Sequence, residues 1–195
     1  MTSKLVIFLS GTVLALAACG KHETANETAA NDVNMAAADN GAMNAEANAV
    51  APSPLTAQGF ANAAAASDNF EISSSKLAAT QASSAAVKKF ATQMITAHTA
   101  STAKLKTTLA GMSPAMTADD TLNADQQAAL DALKSKTGAD FDSAYAAAQV
   151  DAHQKTLDAL NAYAAGGDND ALKTFAKGLV PTVTAHLNLA KGLKK

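Results

Sequence analysis

Met94-Ile95-Thr96-Ala97-His98 recurs in close variants as Gln149-Val150-Asp151-Ala152-His153 and Thr182-Val183-Thr184-Ala185-His186. Each copy sets a β-branched apolar residue, then Thr or Asp, then Ala, then His. Each lies in a stretch with helical periodicity. At 100° per residue, Val87, Ala91, Met94, Leu105 and Leu109 fall within about 40° of His98. Ala146, Leu157, Leu160 and Ala164 surround His153 in the same way, and Leu172, Phe175, Leu179 and Ala190 surround His186. Each histidine is therefore predicted at the centre of an apolar stripe, facing the inside of a helical assembly.

Outward from these stretches, residues 55–195 read as helix throughout. Alanine is abundant, glycine and proline are rare inside the segments, and no stretch alternates like a strand. Helices are predicted over about residues 56–81, 84–110, 124–137, 139–165 and 168–192. Ser84 is placed to cap the second helix. Asn123 with Gln126 has the spacing of a capping box for the short third helix. Gly111 and Pro114 close the second helix, Gly166-Gly167 the fourth, and Pro181 falls inside the last. Two short turns give two antiparallel hairpins, and the longer connection between them carries the short helix. The expected fold is all-α, a four-helix bundle with a crossover.

The first long helix has no histidine on its stripe. Its inward polar residue is Glu71, near in angle to Phe60, Ala64, Ser67 and Ala78. A buried carboxylate is costly unless it is paired, hydrogen-bonded or bound to metal. Each long helix thus contributes one inward polar group: Glu71, His98, His153 and His186. Measured from the turns, Glu71 and His98 lie within roughly 5 Å in height, whereas His153 and His186 differ by roughly 9 Å. One glutamate and three histidines suit a single zinc, iron or copper ion. The alternative is a buried hydrogen-bond network that fixes helix register in a non-catalytic structural or interaction module of the periplasm, helped by Thr102, Thr156 and Thr182.

The N-terminal region has another character. Residues 1–18 combine Lys4 with a short apolar run ending Leu16-Ala17-Ala18, before Cys19. That is a lipoprotein signal, too short for a span of about 20 residues. Cys19 is the expected lipidation site, and it is the only cysteine, so no intramolecular disulfide can form. Gly20 follows it, where Asp would signal inner-membrane retention. An outer-membrane anchor facing the periplasm is therefore expected, with the membrane as partner through lipid alone. Residues 19–54, rich in Ala, Asn, Asp, Glu and Thr, lack apolar periodicity and read as a tether. The net charge of −2 and the scattered basic residues exclude a nucleic-acid interface. No serine sits in a nucleophile elbow, and Cys19 is taken by lipid, so no catalytic residue is assigned.

Several short pieces, taken together, carry a family resemblance. They are Glu71 with Lys76-Leu77-Ala78, Gln81-Ala82-Ser83-Ser84, Val87-Lys88-Lys89-Phe90-Ala91, and Ala97-His98-Thr99. Gly138-Ala139-Asp140-Phe141-Asp142, Val150-Asp151-Ala152-His153 and Leu179-Val180-Pro181-Thr182 with His186-Leu187 complete the set. The chain resembles the bacterial family called domain of unknown function 4142, grouped with ferritin-like bundles, over about residues 60–193. The resemblance implies a ferritin-like four-helix bundle in an exported or lipid-anchored protein. The Glu-x-x-His pairs of di-iron bundles are missing, since Ile95, Val150 and Val183 stand three before the histidines. That argues against a di-iron oxidase centre.

Overall fold

A computed structural model describes residues 56–193. The predicted signal segment, the Cys19 anchor and the tether lie outside the described residues. The elements are α1 (Ala57–Gln81), α2 (Ala85–Ala110), α3 (Ala124–Lys134), α4 (Gly138–Gly166) and α5 (Asp170–Gly192). Among the described residues there is no strand, only a bridge pairing Ala82 with Gly138.

The helix starts follow from local chemistry. The first N–H groups of a helix have no partner inside it. Thr56 Oγ1 accepts from Gly59 N at 3.1 Å, Ser84 Oγ from Val87 N at 3.4 Å, and Asn169 Oδ1 from Leu172 N at 3.1 Å. Asn123 and Gln126 form the reciprocal capping box expected from their spacing. Gly138 opens α4 with φ +62°, a left-handed conformation in which a Cβ would be strained. Pro181 sits on the exposed side of α5, which continues through it as one helix.

Pairings across the bundle fix its topology. Ser67 meets Thr156, Ser74 meets Gln149 and Ser75 meets Tyr145, so α1 and α4 are antiparallel. The Lys104 ammonium lies over the Phe175 ring and His98 lies beside His186, so α2 and α5 are antiparallel too. α1 packs on α2 and α4, and α5 packs on α4 and α2. It follows that α2 and α4 run parallel, and the chain between them must return the length of the bundle. This is the predicted crossover. It runs along α1, whose amides hold it. Gln58 Nε2 donates to the Thr117 carbonyl at 2.9 Å, and Asn69 Nδ2 to that of Asp120 at 2.9 Å. Gln81 Nε2 donates to the Lys136 carbonyl at 2.7 Å. Asp142 of α4 then accepts the backbone N–H groups of Ser83 and Ser84, locking the α1–α2 turn to the second hairpin.

The core is in two parts. One cluster, around the α4–α5 turn end, joins Phe60, Leu105, Leu109, Leu160, Tyr163 and Phe175. The other, towards the α1–α2 turn, joins Val87, Phe90, Met94, Leu133, Phe141 and Tyr145. Burying each such side chain stabilises the fold by about 1.5–3 kcal/mol. Between the two clusters lies a polar waist.

Candidate metal centre

Glu71, His98, His153 and His186 all reach that waist, one from each long helix. The three imidazoles form a nearly regular triangle. Ring centroids are 5.6 Å apart for His98 and His153, 5.8 Å for His98 and His186, and 5.5 Å for His153 and His186. The height mismatch expected between His153 and His186 is thereby removed. His153 lies about thirteen residues before the end of α4 and His186 about sixteen after the start of α5, an offset of roughly 4.5 Å. Cα–Cβ bonds tilt towards a helix's own N-terminus. His153 therefore leans away from the turn and His186 leans towards it, which closes the remainder.

The carboxylate pairing differs from expectation. His98 is hydrogen-bonded not to Glu71 but to Asp68, with Nδ1 2.7 Å from Oδ1. Asp68 is 5 % exposed, so Glu71 is not the one inward acid of its helix. The step of three residues turns Asp68 by about 60° from Glu71, towards α2. Its second oxygen accepts from Thr102 Oγ1 at 3.1 Å. Glu71 instead lies beside His153, with Oε1 3.5 Å from Nδ1. The spacing of Asp68 three before Glu71 was the available signal for this second acid. Gln149, whose backbone carbonyl orients His153, carried none.

These contacts settle which nitrogens are free. The Asp68 carboxylate accepts the Nδ1 proton of His98, leaving Nε2 for the interior. The Gln149 carbonyl, 2.8 Å from His153 Nδ1, can only accept, so His153 also carries its proton on Nδ1. Nε2 of His98, Nε2 of His153 and Nδ1 of His186 are buried without a hydrogen-bond partner, as are both oxygens of Glu71. Five orphaned polar atoms at one level of a core are unusual, because each forgoes its solvation for nothing.

The electrostatics leave two corners of the triangle neutral and favour a proton on the third, one that a metal ion would have to displace from His98 Nε2. Burial pushes His153 down to about 4 against the opposing Gln149 bond, and burial with the charge of His98 pushes His186 down to about 4. Both are neutral donors at neutral pH. Burial also pulls His98 down, but the Asp68 hydrogen bond and the charges of Glu71 and Asp68 outweigh it, so its pKa is raised. Burial lifts Glu71 to about 7, with the His98 charge opposing.

The residues fit a cation. One ligand atom from each histidine lies within 4.8 Å of the other two. Tetrahedral bonds of about 2.0–2.1 Å would bring such atoms to about 3.3 Å, a closure reachable by small side-chain rotations. Imidazole suits zinc, copper, iron and nickel. Asp68 stands behind His98 as carboxylates stand behind metal-bound imidazoles, fixing ring and tautomer. With both its oxygens engaged, Asp68 is no ligand. Asp151, two residues before His153, faces outward and pairs with Lys155 at 3.0 Å. Thr156 bonds Ser67 rather than a histidine. Tyr145 and Tyr163 are fully buried and tie Ser75 and Asp168.

Comparison with known proteins gives three findings. The family described as "Domain of unknown function (DUF4142)" is matched over residues 22–193. Among curated proteins none matches the chain. Two solved structures share the fold. One is described as "CopM in the Cu(II)-bound form", 17% identical, with a TM-score of 0.58 over 71% of this chain and 95% of that one. The other is "CopM in the Ag-bound form (by co-crystallization)", 16% identical, with a TM-score of 0.56 over 70% of this chain and 93% of that one.

Proposed function

The chain belongs to the family described as domain of unknown function 4142, and on that footing we propose that it binds one transition-metal ion at the waist of its bundle. His98, His153 and His186 are the ligands and Asp68 orients His98, whereas Glu71, at the Nδ1 edge of His153, lies outside that group of three. The observation that carries this reading is the convergence of three buried imidazole nitrogens that have no hydrogen-bond partner. A register-fixing network, by contrast, would satisfy its own members. Such pairs do exist, but elsewhere: Ser67–Thr156 and Ser75–Tyr145 stitch α1 to α4.

Copper is the first candidate. Copper(II) outranks the other divalent first-row metals at nitrogen sites, and structures of the same fold are described with copper and silver bound. Zinc is the competitor, and the di-iron alternative stays disfavoured because Asp68 is already engaged. In this reading the protein is an envelope lipoprotein, tethered to the outer membrane through Cys19 on the periplasmic side, where it takes up metal without catalysis.

The test is the metal content of tag-free protein after dialysis against micromolar copper or zinc. One equivalent in the wild type and none in the H98A/H153A double variant is expected. A wild type without metal, beside a less stable double variant, would make the waist a structural network.

A further inference from the structure

We propose that the cavity between α2 and α5 is the mouth of the histidine site, admitting the ion and one small monodentate ligand, a water or an azide-sized anion. This rests on the metal-site reading above.

The cavity has a volume of about 40 Å³, against the roughly 10–15 Å³ that one water needs on that measure. Its inner wall is formed by Asp68, His98 and His186, and its outer wall includes Ala97, Ser101 and Thr182. The inner wall thus carries two of the three ligand side chains, while His153 and Glu71 form no part of the lining. The site therefore has a closed back and a front that faces free space. The outer wall reaches solvent: Thr182 is exposed and Ala97 and Ser101 are partly so. His186 is half-buried, whereas His98 and His153 are buried.

The opposite wall is stitched. Ser67 and Thr156 also line the cavity, and their hydroxyls close the α1–α4 seam at 2.8 Å. Beyond that seam lies a separate, larger cavity of about 300 Å³ between α1, α3 and α4, which none of the histidines lines. Among the described residues no side-chain hydrogen bond joins α2 to α5. The way in is therefore the seam with small residues, no polar stitching and no cover. A water or small anion in the cavity stands beside His98 and His186, within reach of the position their free nitrogens define.

The test uses the full chain loaded with copper(II). Equilibrium affinity is measured by competition, the rate of copper loss by stopped flow with excess chelator, and anion access by the charge-transfer band that azide gives with copper(II). Ala97→Leu, which fills the outer cavity, should slow loss by about tenfold or more, leave affinity within about threefold, and abolish the azide band. Leu179→Ala, which widens the cavity, should speed loss. Ser75→Ala, on the same stitched seam but away from the cavity, should leave the rate unchanged. Unaltered rates and azide band in both α2–α5 variants would overturn the proposal, as would faster loss in S75A alone. A wild type that binds no copper would instead overturn the metal-site reading itself.

Discussion

The α1–α4 and α2–α5 faces of this bundle are made from helices of similar length, yet they are joined differently. On the first, three side-chain hydrogen bonds cross the seam, Phe60 stacks on Tyr163 with ring centroids 4.0 Å apart, and the crossover lies on top. On the second, the side-chain contacts include the Lys104–Phe175 pair and the histidine rings, and the cavity there is the one that reaches His98 and His186. If the waist holds metal as proposed, the difference teaches that one side carries more of the stability and the other is left open for exchange. A site sealed equally on all sides would hold an ion that could not get in.

The largest effect that could break this comparison is on stability. Phe60→Ala, on the stitched side, should cost about 3–5 kcal/mol, whereas Leu179→Ala, partly buried on the open side, should cost less than about 2 kcal/mol. Urea denaturation of the metal-free variants checks it, and equal losses would show that the two faces bear stability alike.

Next comes Glu71. Burial lifts its carboxyl from about 4.5 in the unfolded chain to about 7 in the folded one. Between those values the folded state keeps a proton that the unfolded state has lost, so this group's contribution to stability falls as pH rises. Glu71→Gln removes that penalty. The metal-free variant should exceed the wild type by up to about 3 kcal/mol at pH 7.5, with the gap closing towards pH 4.5. The check is a set of denaturation curves across that range, and a gap that widens on acidification contradicts the burial argument.

Asp68→Asn should then weaken copper binding by about 10- to 100-fold without removing it, because the residue orients a ligand rather than being one. Titration calorimetry would show this. The smallest effect is Ser67→Ala, which opens one bond of the stitched seam and should cost about 1 kcal/mol.

The fold was legible because periodicity, caps and glycine punctuation agree over long helices. Ser84 and the Asn123–Gln126 pair cap where their spacing says. The site was legible as far as angle determines it: Glu71, His98, His153 and His186 all face inward as their stripes require. What angle could not supply was partnership. Counting heights from the turns ignored the lean of side chains along each helix, and so separated His153 from His186. Taking Glu71 as the inward acid overlooked that a position turned by 60° can face a second neighbouring helix, where Asp68 meets His98. The α2–α5 cavity had no sequence signal, since small residues at a seam look the same whether the seam closes or gapes.

The waist draws its groups from both hairpins: Asp68, Glu71 and His98 from the first, His153 and His186 from the second. The hairpins are local structures that form quickly, whereas their docking closes contacts far apart in the chain. A site assembled only at that last step cannot nucleate folding. Ligation there acts after the transition state, so it would leave the folding rate almost untouched and slow the unfolding rate. The lifetime of the folded protein would then track the free metal around it, and its persistence against proteases would become a readout of supply.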